Sequence, residues 1–234
     1  GGRRVETRLL QKIGPGEDWF MVSFAWNPGE TEAMAVPGGG VDDPGHDDIP
    51  QQSECFDCHA PVRLASVVIG FSALQLDDAT RAGGSPLAAL VAAGQLTAPP
   101  TGGSATTPYF PLPAGDAATR DALGYLHANC GNCHNAGSDV KFAVDLELRL
   151  GLPLTAWSSS AAVRTAVDVV NQTAALPPGA SAIIEPGMPG ASALYLGLTS
   201  EDPVFRMPPL ARELADPVGG EAVRAWIAGM TPTP

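Results

Sequence analysis

The sequence predicts a mainly α-helical chain with long loops, organised as two small helical domains behind an N-terminal β-hairpin. Three observations predict it. Cysteine occurs only within two copies of one five-residue string, Cys55-Phe-Asp-Cys58-His59 and Cys130-Gly-Asn-Cys133-His134, so the chain has two similar centres. Helix signals with good caps lie next to the second string and at the end of the chain. Finally, 27 Gly and 23 Pro among 234 residues, with 6% aromatics, imply many turns and short elements. A hydrophobic content of 44% is enough for a buried core.

Taken in order, residues 1–40 form the β element. Val5 to Ile13 and Trp19 to Trp26 flank a Gly/Pro turn, and Phe20, Val22, Phe24 and Trp26 alternate at period two. A hairpin of this size does not fold alone, so it is expected to pack on the first domain. Residues 41–108 hold the first motif and a short helix with Ser85 as N-cap, Pro86 at its first position and Gly94 past its end. The stretch 62–100 is expected to cover the first motif, and the Pro/Gly/Thr-rich run 98–108 ends the domain. Residues 109–234 form the second domain. A helix capped by Asp116 runs into Cys130, and another, capped by Asp216 with Pro217 next, carries Val223, Trp226, Ile227 and Met230 at i, i+3, i+4 and i+7.

Net charge is −12, with two Lys against eleven Arg. Such a surface repels phosphate backbones, so nucleic-acid binding is not expected. Apolar runs are too short for a membrane span, and the Gly-Gly-Arg-Arg start has no apolar signal region, so any export signal is expected to have been removed already.

Every cysteine belongs to a C-x-x-C-H, the pattern of c-type haem attachment. Two thiols three residues apart on one turn can add to the two vinyl groups of a haem, and the adjacent imidazole then reaches the iron from the proximal side. Two haem c groups are therefore expected. Cys55, Cys58 and His59 hold the first, and Cys130, Cys133 and His134 the second. A tetrahedral zinc site is the competing reading, but the two pairs lie much further apart than is usual, and each is followed by His. A redox dithiol or structural disulfides would leave both His residues and the second copy unexplained.

Each haem also needs a distal ligand. For the second, Met207 in Phe205-Arg206-Met207-Pro208-Pro209 is the expected one, because prolines with fixed φ can hold a weak thioether in place. A core Met filling a gap is the plain alternative, and Met188 is the weaker rival. For the first haem nothing suitable follows His59 until His127. His46, nine residues before Cys55, is the expected ligand, with His127, Met34 and Met21 as rivals and an open iron as a further reading. Each has a plain alternative: a solvated loop residue for His46, a helix C-terminal residue favoured by the dipole for His127. Met21 lies in the expected strand and reads as core.

These residues resemble a family of exported bacterial diheme c-type cytochromes. The resemblance is carried by Glu6-Thr-Arg-Leu-Leu10, Trp26-Asn27 with Thr31-Glu-Ala33, His46-Asp47-Asp48-Ile49-Pro50, Gly70-Phe-Ser-Ala-Leu-Gln-Leu76, Gly124-Tyr-Leu-His-Ala-Asn-Cys-Gly-Asn-Cys-His134 and Met207-Pro-Pro209. It implies two cytochrome c-like domains, haem c bound twice, and electron transfer between redox proteins in the periplasm or outside the cell, within a larger assembly or alone. Members carry further sequence before the Glu-Thr-Arg-Leu element. The alternative expectation is a diheme peroxidase-like enzyme with an open first haem, for which His46, His127, Glu54 or Asp57 would supply the distal acid or base.

Overall fold

The computed structural model describes residues 2–15, 18–40, 48–59, 68–170, 175–210, 212 and 214–232. Among them, short helices are joined by long loops, and the only sheet is a small N-terminal one. Strands β1 (Glu6–Lys12), β2 (Trp19–Trp26) and β3 (Ala33–Ala35) pair antiparallel in the order β1-β2-β3. The expected hairpin thus gains a third strand. Its register sets Leu10 opposite Met21 and Arg8 opposite Ser23. The Arg4 guanidinium lies 4.1 Å from the centre of the Trp26 ring, closing one end by a cation–π contact.

The period-two expectation for β2 does not survive. Phe20 is 40% exposed, whereas Met21, Val22 and Ser23 are all buried. The strand is covered on both faces at its centre because the segment around the first motif packs on the face carrying Met21 and Ser23. The Gln52 side chain donates to the Met21 carbonyl at 2.7 Å. A 3-10 turn at Gln52–Glu54 then leads into α1 (Cys55–His59), which contains the whole motif.

Beyond it lie α2 (Ala73–Leu76) and α3 (Pro86–Ala92). Ser85 caps α3 as expected, and Gly94 ends it at φ +63. The predicted cover of the first motif by 62–100 is not what α2 provides. Leu74 packs into the core of the C-terminal half, Ser72 bonds to His127, and the Asp77 carboxylate accepts from the Phe110 amide. These contacts cross the boundary expected at residue 108.

The C-terminal half holds the main core. Helix α4 (Ala117–Asn129) starts at Asp116, whose carboxylate accepts from the Thr119 amide at 2.7 Å. Helix α7 (Pro217–Ala228) starts at Asp216, which accepts from Val218 and Gly219. The two helices pack together around Ala122, Leu123, Leu126, Val223 and Ile227, joined by residues of α5 (Ala161–Ala166) and α6 (Ala193–Thr199). No helix among the described residues is long and apolar enough to cross a membrane.

The closest approach of α4 and α7 depends on a missing side chain. The Tyr125 ring lies on the backbone of Gly219, and a Cβ there would overlap the ring. Gly219→Ala is therefore expected to destabilise the protein by about 1–3 kcal/mol through overpacking, more than the roughly 1 kcal/mol that helix propensity returns. Thermal unfolding should show a melting midpoint lower by several degrees; an unchanged or raised midpoint would refute the contact.

Candidate functional site

The second motif is built on the end of α4. Cys130 is the C-cap of the helix, and the amides of Cys133 and His134 both donate to its carbonyl, at 3.1 and 2.8 Å. This tight turn closes because Asn135 caps it, donating to the carbonyls of Gly131 and Asn132. At Gly131 only hydrogen fits. A Cβ would lie 2.6 Å from the His127 carbonyl oxygen and 2.9 Å from Arg149 Cα. The following chain returns alongside, with the Leu148 amide donating to the His134 carbonyl at 2.8 Å.

Cys130 and His134 open into an apolar cavity of about 220 Å3. Leu126, Leu146, Leu148, Ile183, Leu198 and Phe205 line it, and Met207 reaches it from a loop far along the chain. That loop is anchored: the Met207 amide donates to the Gly197 carbonyl at 2.9 Å. Sequence reasoning missed the residue that holds the anchor. The buried Arg212 guanidinium donates to the carbonyls of Leu198 at 2.6 Å, Ser200 at 3.1 Å and Gly197 at 3.4 Å, gathering the end of α6 and the Met207 loop together. An Arg that binds backbone carbonyls some twelve to fifteen residues away gives no local motif by which to find it. Met188, the rival, is 56% exposed and does not line the cavity.

The electrostatics suit a group that needs neutral ligands. Burial lowers the pKa of His134, which favours the neutral imidazole, and its Nδ1 is buried without a hydrogen-bond partner. Burial pushes the Cys130 thiol up to about 12, with the Cys133 thiol adding to the effect. Burial also raises Cys55, Cys58 and Cys133. Reactive dithiols need the opposite shift, so these pairs are not tuned for disulfide exchange. All four thiols are free in the structure. Among the described residues no group of three or more His, Cys, Asp or Glu is placed to hold a metal ion on its own.

The first motif faces the N-terminal sheet. Cys55, Cys58 and His59 line a smaller cavity with Arg8, Leu10, Met21, Ser23, Pro50 and Leu210. The two centres are neighbours. The Cys58 thiol is close enough for its charge to act on Cys133, after the larger effect of burial. The segment 207–210 runs between them, with Met207 at the second cavity and Leu210 at the first.

The ligands expected for the first haem fare differently. His46 lies outside the described residues. Met34 is 70% exposed on β3 and is absent from the cavity lining. His127 is buried and fully engaged: its Nδ1 accepts from the Leu150 amide at 2.9 Å, so its Nε2 carries the proton and donates to Ser72 Oγ at 2.8 Å. Burial, then the charge of Arg149, lowers its pKa and favours this neutral tautomer. His127 ties α2 to the segment after the second motif, and neither nitrogen is available to iron.

The residues present fit a haem at the second motif. Cys130, the imidazole of His134 and the Met207 thioether share one apolar cavity, and Cys133 stands on the same tight turn, outside the cavity lining. The first motif repeats the thiols and the imidazole beside a buried Met. Comparisons with family models, curated proteins and solved structures give no match to this chain.

Tyr125 adds a pH-dependent term beside this site. Burial, then the Asp216 carboxylate, raises its phenol from 10.0 to about 12. The folded state disfavours the phenolate, so this stabilisation is fully present below pH 10 and lost as pH rises toward 12. The protein should unfold more readily over that window, and Tyr125→Phe should remove the step. Denaturation midpoints measured at several pH values check this, and identical alkaline profiles for the two proteins would refute it.

Proposed function

We propose that this chain is a diheme c-type cytochrome of the exported bacterial family it resembles, an electron carrier working in the periplasm or outside the cell. One observation carries the reading: Cys130 and His134 line one apolar cavity with Met207, which lies more than seventy residues further along the chain. When bound, haem supplies reversible one-electron chemistry at its iron.

The chain's own residues do the rest. Cys55, Cys58, Cys130 and Cys133 tether the groups covalently, which keeps them in an exported protein. His59 and His134 serve as proximal nitrogen ligands, and Met207 as the distal thioether of the second haem. An apolar lining and thioether ligation at Met207 raise the potential of the second haem. At the first centre Cys58 is exposed. The Met207 haem is expected to be the higher-potential one. The segment 207–210, which lines both cavities, brings the two centres together and suits electron exchange between the two haems.

Purified from a host able to attach haem c, the protein should carry two haems per chain that survive denaturation. Redox titration should resolve two transitions. Failure to retain haem would sink the proposal, and steady peroxide turnover would move it to the peroxidase-like alternative. With a net charge of −12, the surface should steer toward basic patches on partner redox proteins. The second-order rate of electron exchange with a basic partner should then fall as salt rises, by about tenfold or more from low to physiological ionic strength. A rate indifferent to salt would argue against electrostatic steering.

A further inference from the structure

The distal side of the first motif is where sequence and structure diverge most. Met21 is 2% exposed at the centre of β2 and lines the same cavity as Cys55, Cys58 and His59. We infer that the Met21 thioether is the distal ligand of the first haem, an assignment that rests on the two-haem reading above.

Strand geometry places Met21 and Ser23 on one face of β2, beside Leu10 and Arg8 of β1; all four line the cavity, as do Leu9 and Val22 between them. The motif is held against this face at Met21 itself, through the bond from Gln52 to the Met21 carbonyl at 2.7 Å. Arg8 lines the cavity together with the Cys55 and Cys58 thiols. Ser23, two residues along, is 3% exposed and its hydroxyl has no hydrogen-bond partner. Leaving a buried hydroxyl unpaired costs about 1–3 kcal/mol, so its position beside Met21 marks a cavity shaped around a further group.

The rivals are elsewhere. Both nitrogens of His127 are engaged, Met34 lies exposed on β3, and Met207 belongs to the second cavity. Among the described residues lining the first cavity, only His59 and Met21 offer a ring nitrogen or a thioether sulfur. Ligation is the donation of a sulfur lone pair to iron, with no proton or electron moved. It therefore does not titrate, whereas ligation by His46 would be lost in acid as the imidazole protonates.

The test uses the haem-loaded protein labelled with 13C at its methionine methyls. In the reduced state, two of the five methyl signals should be shifted far upfield by haem ring current. Met21→Leu should remove one of them and Met207→Leu the other. The signal of Met207 persisting in Met21→Leu reports that the variant is folded, and that variant should bind carbon monoxide at one haem where the unmodified protein binds none. One shifted methyl in the unmodified protein, or carbon monoxide binding opened by His46→Ala and not by Met21→Leu, would overturn the assignment. Fewer than two haems per chain would overturn the two-haem reading instead, and the assignment with it.

Discussion

Met207→Ala should lower the potential of one haem by on the order of 0.1 V, within the roughly 0.8 V that axial ligands and their surroundings span, while leaving both haems attached. The loop presents its thioether from a fixed position: the Met207 amide is bonded to Gly197, and Arg212 gathers the carbonyls of Gly197, Leu198 and Ser200. Loss of the sulfur removes a ligand that favours reduced iron, which depresses the potential. The variant should also bind carbon monoxide at the second haem. Met188→Ala is the control, because Met188 is exposed and lies outside the cavity lining. Spectroelectrochemical titration of both variants decides the matter. Equal shifts, or none with Met207→Ala, would remove Met207 from the site.

The second large effect is structural. Cys130→Ala with Cys133→Ala should abolish attachment of the second haem and, with it, the fixed packing of the C-terminal half. The cavity of about 220 Å3 is walled by leucines, Ile183 and Phe205. Left unfilled, these apolar side chains face water, which weakens a fold that has only the roughly 5–15 kcal/mol of a whole domain to lose. Near-ultraviolet dichroism from Trp157 and Trp226, both packed in this core, should largely disappear while helical far-ultraviolet signal partly remains. A native-like near-ultraviolet spectrum in the haem-free variant would show that the chain packs itself.

Much of the local structure was legible in the sequence. Asp116, Asp216 with Pro217, and Ser85 with Pro86 all begin helices where expected, because a cap acts through bonds within one turn. The hairpin was legible for a similar reason, although its inward face was not. Phe20, Val22, Phe24 and Trp26 are the bulkier alternating set, yet Met21 and Ser23 are buried too, since the segment carrying the first motif covers their side of the sheet. His127 illustrates the converse error. One turn before a C-x-x-C-H it invites a role at iron, but its partners Ser72 and Leu150 lie 55 and 23 residues away.

The sequence by itself determined the local placement of each motif. Two thiols and an imidazole in five consecutive residues need only one turn of backbone to be brought together. Only the tertiary structure decided what each motif meets. Met207 reaches the second cavity because Arg212 and Gly197 fold the loop back on α6, and Met21 reaches the first because the sheet docks on α1. These meetings depend on long-range packing that no local pattern encodes. The many glycines and prolines, unhelpful to a conventional core, are what let the chain bend around both cavities.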